Sequence, residues 1–326
     1  MNAAVLDTEL YRSGAEEDRQ AFANELVQSL ARCGFVKLVN HGIADSLVKE
    51  LFDWARRFFE LSAAQKEVIA HPDSPDPQRG WSRIGAEKTS RLFSHGASSR
   101  NATDAREHFD HGSPFNTQWP NRWPDEQSMP GFREFMESYY AASHQTALMI
   151  LSAMEMGLGI PAGTFVSKCQ GTASEMRLNY YPAINIQELR NGTLSRIHPH
   201  ADLGVITCLL QDGQGGLEMA DREHAGQFIP ILSRSRSEMI VNISETFQRW
   251  SNGSIPSGVH QVTIPPTMKH VESGIVPARY SCAFFVKADW TAPAGALTPF
   301  VGEKNPAQYK EMTALEYHQW RLATAY

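Results

Sequence analysis

The 326-residue chain is 42% hydrophobic and 20% charged, with a formal charge of −6. This composition is that of an ordinary globular protein with room for a substantial core, as one large domain or two small ones. The acidic balance and the lack of a Lys/Arg block argue against nucleic-acid partners, and no apolar run reaches the roughly 18 residues a membrane helix needs. Met1–Glu9 lacks the basic start and apolar core of a secretory signal, and four scattered cysteines (Cys33, Cys169, Cys208, Cys282) form no Cys-x-x-Cys pair. Buried thiols in a cytoplasmic protein are therefore expected.

Phe22, Leu26, Val27 and Leu30 recur at helical spacing and predict a helix over 15–33, ended by Gly34. A short strand, Phe35–Val39, follows and closes on Asn40-His41-Gly42. A second helix starts near Asp45 and runs through Leu47, Leu51, Trp54, Ala55 and Phe58. Residues 71–126 are rich in Pro, Ser, Asn and Arg and lack periodicity, which suggests a loop that walls or covers a pocket. A long helix is expected from Phe132 to about Met156, stopped by Gly157 and Gly159. From Glu175 onward short strand-like runs appear at 175–181, 205–211, 227–231, 238–243, 259–264 and 279–287, separated by Gly, Asn, Pro and Ser. Even spacing of this kind implies a sandwich or closed roll. A last helix, Thr313–Ala323, packs back on the body. The expected fold class is α+β: a helical region, 1–165, packed as one folding unit on a double-stranded β-helix (jelly roll), 166–326.

Within the β region, His200-Ala201-Asp202 is answered by His260 and then by Arg279-Tyr280-Ser281. Two histidines and one carboxylate can occupy one face of a ferrous ion and leave the other open. Residues two apart on a strand point the same way, so His200 and Asp202, read as opening a strand, can reach one metal. The same alternation sets the Arg279 guanidinium beside the Ser281 hydroxyl, a seat for a carboxylate. His198, one position from Pro199, and His270, in a turn-like segment, are rival ligands ranked below His200 and His260.

At these residues the chain resembles the isopenicillin N synthase-like branch of the iron(II)/2-oxoglutarate oxygenases. Gly34-Phe35-Val36 with Asn40-His41-Gly42, Arg177–Pro182 (with its Asn-Tyr-Tyr-Pro run), Gly215-Gly216-Leu217-Glu218 and Val241-Asn242-Ile243 are similar to the family's sequence there. The resemblance implies that His200, Asp202 and His260 ligate Fe(II), that Arg279 and Ser281 hold the far carboxylate of 2-oxoglutarate, and that Asn179 and Tyr181 lie near its keto-acid end. It implies that O2 is consumed and that 2-oxoglutarate is decarboxylated to succinate as a substrate C–H bond is oxidised. With a carboxylate at Asp202, halogenation is not expected. Two departures are visible: Ser244-Glu245 replaces the usual Gly-Asp, which should matter little to the metal, and a longer stretch, Pro265–Gly274, fits a hairpin loop between His260 and Arg279.

The partner is expected to be a small-molecule substrate. Trp81 and Phe109 are candidate pocket walls, with plain core packing the alternative. Arg190, on the connection between the Asn-Tyr-Tyr strand and His200, is a candidate to bind polar oxygens of the substrate. The C-terminal half is similar to fungal members that tailor natural products. The sharpest expectation is oxidative ring expansion of a cyclohexadienone to a tropolone, against hydroxylation or desaturation of another small molecule. A non-catalytic binding protein on the same scaffold is the reading from a different class.

Overall fold

A computed structural model describes residues 2–72, 76–86, 103–192 and 194–323. Eight strands form a large sheet: β1 (Ala4–Asp7), β2 (Phe35–Val39), β3 (Gly80–Ser82), β5 (Glu107–Gly112), β6 (Glu175–Tyr181), β10 (Ile206–Gln211), β13 (Met239–Ile243) and β16 (Arg279–Val286). Their order is β1-β2-β13-β10-β16-β6-β5-β3, so strands from both halves of the chain share one sheet. Four strands form a smaller sheet: β9 (Ile197–His200), β11 (Leu217–Ala220), β12 (Phe228–Pro230) and β14 (His260–Val262), ordered β12-β11-β14-β9. Two short pairs complete the set, β4 (Thr103–Asp104) with β8 (Leu194–Ser195) and β7 (Ile184–Asn185) with β15 (Ile275–Val276). The helices are α1 (Glu9–Arg12), α2 (Glu16–Cys33), α3 (Asp45–Phe59), α4 (Ala63–Glu67), α5 (Phe132–Gly157), α6 (Ile186–Arg190), α7 (Glu245–Trp250) and α8 (Ala314–Leu322). This is the expected jelly roll with helices packed on it.

The helices form where the apolar period demands burial on one side. In α3, Val48, Leu51, Phe52, Ala55, Phe58 and Phe59 follow the helical repeat and all are buried. Helix α2 ends at Gly34, whose φ of +84° belongs to the left-handed region and whose N–H caps the Leu30 carbonyl. A side chain there would also meet Gly258 Cα at 2.8 Å, two residues before His260. Among the described residues no helix is long and apolar enough to cross a membrane, and all four cysteines are free and buried.

Period two explains how the large sheet carries a site. On one face Met176, Leu178, Ile206, Cys208, Leu210, Val241, Phe284 and Val286 pack with α2, α3 and α5 in the main core. On the other face Phe35, Tyr181 and Ile240 meet Leu217, Met219, Val262 and Ile197 of the small sheet. That inner face also carries a set of buried polar residues: Glu175, Arg177 and Asn179 on β6, Thr207 and Gln211 on β10, Asn242 on β13 and Ser281 on β16. Buried polar groups cost free energy unless they are partnered, so a polar row inside a closed roll marks a place built to hold something.

Some expectations for residues 71–126 change. Of this stretch 73–75 and 87–102 lie outside the described residues, but Gly80–Ser82 and Glu107–Gly112 are strands of the large sheet, not loop. Polar residues on β5 hid its period, because its partners are themselves charged: Asp110 faces Arg177 across the β5–β6 pair. Phe109 packs at a tilt against Phe58, Phe132 and Trp123 on the helix side, and Trp81, paired with it in register, donates its indole N–H to Glu107 at 2.6 Å. Both pack in the core, and neither lines the cavity described below.

Candidate metal centre

His200 is the last residue of β9 and His260 the first of β14, directly opposite it in the antiparallel pair. Asp202 does not continue a strand with His200, as the alternation argument supposed; it lies in the connection between β9 and β10. The connection is drawn in at Gly204, where a Cβ would meet the Val286 carbonyl at 2.5 Å. It is fastened by Glu245 N–H donating to the Asp202 carbonyl at 2.8 Å. The three side chains converge all the same. Asp202 Oδ1 is 3.7 Å from His200 Nε2 and 3.9 Å from His260 Nε2, and one ligand atom from each residue falls within 4.8 Å of the others.

Each of the three is aimed by a partner behind it, the arrangement that fixes metal ligands. His200 Nδ1 contacts the His198 carbonyl at 2.9 Å, and His260 Nδ1 contacts the Gly258 carbonyl at 3.0 Å, so both Nε2 atoms face inward. Asp202 Oδ2 accepts from Thr207 Oγ1 at 2.6 Å and Asn242 Nδ2 at 2.9 Å, leaving Oδ1 toward the histidines. Burial, then the neighbouring His260, pushes His200 down to about 4, so its imidazole is neutral as a ligand must be. Burial opposes ionisation of Asp202, but the two imidazoles and the Thr207 and Asn242 hydrogen bonds outweigh it and hold its pKa below the usual value. Two imidazole nitrogens and one carboxylate oxygen on one side of a shared point fit a ferrous ion. His270 is exposed, and His198 contributes its backbone carbonyl.

Arg279 and Ser281 sit together on β16. Arg279 Nη1 donates to Ser281 Oγ at 3.2 Å and Nη2 to Gln211 Oε1 at 3.1 Å, while its Nε has no partner among the described residues. The guanidinium lies 4.8 Å from the Tyr181 ring centre, and Asn179 Nδ2 reaches Ser281 Oγ at 3.4 Å. Asn179 opposes Ser281, and Tyr181 opposes Arg279, in the β6–β16 register. A fully buried guanidinium bonded to neutral oxygens suits an incoming carboxylate.

Beside His200 and Asp202 a cavity of about 80 Å3 is lined by Gln78, Arg106, Glu175, Arg177, Phe285, Lys287, His318 and Leu322 together with the loop 201–204. The reading by motif missed all of the charged members. Glu175 and Arg177 alternate with Met176 and Leu178 and share the face of Asn179 and Tyr181, while Lys287 lies six residues after Ser281 on the inner face. That spacing was the available signal. Glu175 is clamped by Arg79 at 2.7 Å and by Lys287. Burial opposes its charge, but Lys287 and Arg79 overcome this and hold its pKa to about 2. His318 and Leu322 come from α8, which is held by Tyr317 Oη and Arg321 Nη2 donating to the Glu245 carboxylate at 2.6 and 2.7 Å. Glu245, at the position that departs from the resemblance, thus ties both the Asp202 loop and a cavity wall.

Arg190 is not at this cavity. It ends α6, is exposed, and donates from Nη2 to the Lys269 carbonyl at 2.9 Å. With Gln187 bonding the Glu272 carbonyl, α6 is stitched onto the Pro265–Gly274 insertion, whose carbonyls need donors from outside the sheet.

A jelly roll holding a two-histidine, one-carboxylate cluster beside a buried arginine–serine pair defines a non-haem oxygenase that takes a keto acid. The chain belongs to the 2OG-Fe(II) oxygenase superfamily: residues 173–288 match that family, and residues 4–126 match the family of the non-haem dioxygenase in morphine synthesis N-terminal region. The 2-oxoglutarate-dependent dioxygenase phqC of Penicillium fellutanum is 57% identical over 99% of this chain and 94% of its own. Proline hydroxylase buaE of Petromyces alliaceus is 38% identical over the full length of both. A full-length Neurospora crassa protein solved in complex with alpha-KG and thymine is 27% identical, covers 99% of this chain and 97% of its own, and superposes with a TM-score of 0.88. The chain is a dioxygenase dependent on Fe(II) and 2-oxoglutarate, with O2 as co-substrate.

Proposed function

We propose that this dioxygenase oxidises an aliphatic C–H bond of a small free amino acid of about proline's size, in the making of a natural product. The observation that carries the reading is the cavity beside His200 and Asp202. Its room of about 80 Å3 corresponds to roughly five to eight water molecules. Its walls combine the cations Arg106, Arg177 and Lys287 with the anion Glu175. Glu175 is held by Arg79 and Lys287, and Arg177 by Asp110, so the lining is an ion-paired network that suits a small polar or zwitterionic molecule and offers an apolar polycycle little surface. The likeness to a proline hydroxylase over the whole chain supports the same class.

In this reading His200, Asp202 and His260 hold the iron, and Arg279 and Ser281 take the distal carboxylate of 2-oxoglutarate, with Asn179 and Tyr181 beside it. Bound iron supplies the oxidising power, as 2-oxoglutarate is split to succinate and CO2. The protein positions the substrate carbon next to the Asp202 side of the metal, and α8 keeps water from that side. Arg190, the residue suggested for polar oxygens of the substrate, bonds a loop carbonyl at the surface and so lends ring expansion of a cyclohexadienone no support.

The test is an anaerobic titration of the protein with Fe(II) and 2-oxoglutarate against proline, leucine, isoleucine and a methylated cyclohexadienone. A shift of the iron-to-keto-acid absorption band, followed in air by an oxidised product matching succinate mole for mole, is expected from an amino acid. Coupled turnover of the dienone alone would replace this reading with ring expansion.

A further inference from the structure

Close to the co-substrate seat lies a second buried cation that no motif marks. We propose that Arg196 acts with Arg279 on the distal carboxylate of the keto acid and so sets the preference for a dicarboxylate over a monocarboxylate 2-oxo acid. The inference rests on the assignment of Arg279 and Ser281 to that carboxylate.

Arg196 is completely buried, four residues before His200. Its guanidinium lies 6.0 Å from the centre of the Tyr181 ring, the same ring that Arg279 approaches to 4.8 Å. Two cations therefore share one aromatic side chain on the inner face of the roll. Of the Arg196 nitrogens, Nη2 alone is engaged, on the Pro182 and Pro277 carbonyls; Nε and Nη1 have no hydrogen-bond partner among the described residues. Among the described residues neither arginine is paired with a carboxylate there. Asp212, which acts on Arg196 across space, already accepts from the Tyr280 and Gln214 N–H groups at 2.7 and 3.0 Å.

Such an arrangement is costly in the absence of an anion. A buried charge without a counter-charge carries its full desolvation penalty, and two like charges add repulsion. Burial, then Arg279, pushes the Arg196 pKa down to about 10, which still leaves it charged at neutral pH. A carboxylate entering beside Tyr181 relieves both penalties at once, and a methyl group in its place relieves neither. The carbonyl contacts hold the charge in position: Pro182 directly follows β6, and Pro277 comes two residues before β16. These are the strands that bear Asn179, Tyr181, Arg279 and Ser281.

The experiment compares anaerobic binding of 2-oxoglutarate and 2-oxovalerate, which has a methyl where 2-oxoglutarate has its distal carboxylate. The iron-to-keto-acid absorption band reports binding in the parent protein, Arg196→Met and Arg279→Met. Arg196→Met is expected to weaken 2-oxoglutarate by about tenfold or more and 2-oxovalerate by less than about twofold, with iron affinity unchanged. Equal losses for both acids would make Arg196 a structural strut, and no loss would remove it from the seat; either result overturns the proposal. If Arg279→Met discriminates between the acids and Arg196→Met does not, the inference about Arg196 alone falls. If neither discriminates, the seat itself has been misassigned. Should Arg196→Met not fold, Arg196→Lys, which keeps the charge but loses the fork of donors, carries the test. A selective loss for 2-oxoglutarate of roughly threefold or more then supports the proposal, and an unchanged ratio overturns it.

Discussion

At the scale of single residues, the metal cluster is held from behind as much as from in front. Thr207 and Asn242 both donate to Asp202 Oδ2, and neither reaches the metal position. Thr207→Val and Asn242→Leu are each expected to lower iron affinity by about ten- to a hundredfold while the fold persists, measured by competition with a chelator. His260→Ala should abolish iron retention and His270→Ala should leave it unchanged; the reverse would reassign the second histidine. Of these groups the proposed ligands could be singled out from sequence, because a His-x-Asp, a later His and an Arg-x-Ser in that order are a rare combination. Thr207 and Asn242 were not, because an isolated threonine or asparagine in a strand carries no pattern. Their roles follow from strand order: β10 lies between β13 and β16, so inward-facing residues of β10 and β13 meet over Asp202.

Among elements, the four longest helices and the long strands could be read to within a residue or two, as Phe35–Val39, Glu175–Tyr181 and Asp45–Phe59 show, whereas the short helices α1, α4, α6 and α7 span too few turns to show a period. The strands in 71–126 could not, since β5 interleaves His108 and Asp110 with Phe109 and β3 is only three residues, Gly-Trp-Ser, so neither shows an apolar alternation. Two elements meet the site in ways that can be tested. Glu245→Ala keeps the backbone bond to Asp202 but frees Tyr317 and Arg321, so α8 loses its anchor. The expected result is an increase of about tenfold in substrate KM with little change in iron or 2-oxoglutarate affinity, a selectivity that steady-state and binding assays together reveal. Gly34→Ala forces a left-handed residue with a Cβ against Gly258. It should cost at least about 1–2 kcal/mol in urea unfolding, and it should weaken iron binding as well because the Gly258 carbonyl orients His260.

For the whole molecule, acid is the direction of weakness. Burial holds His111 and His318 neutral, with pKa values of about 3 against an ordinary 6.5. Between those values the unfolded chain takes up protons that the folded chain refuses, so stability must fall as pH falls from about 6.5 toward 3. Glu175 adds to the loss below about 4.5, where the unfolded carboxylate protonates and the clamped one does not. His200, held down to about 4, refuses a third proton there, so unfolding free energy near pH 5 should slope by at least roughly three protons per molecule, and His111→Phe should remove about one of them. Denaturant titrations across this range would show it, and a flat profile would mean that these histidines are solvated.

The two faces of β6 and β16 also separate what the enzyme accepts from whether it folds. Exchanging Phe285 alters the lining of the cavity without touching the apolar rows of Met176, Leu178, Phe284 and Val286 that lie on the helices, whereas Arg177 and Lys287 are tied to the buried carboxylates of Asp110 and Glu175 and must be exchanged together with them. A new substrate can thus be reached through inner-row substitutions, with the ion-paired positions changed as pairs, on an unchanged apolar core. A single inserted residue in β6 would have the opposite effect. It would turn methionine and leucine toward the substrate and press a glutamate and an arginine into the helices, losing activity and fold in one step.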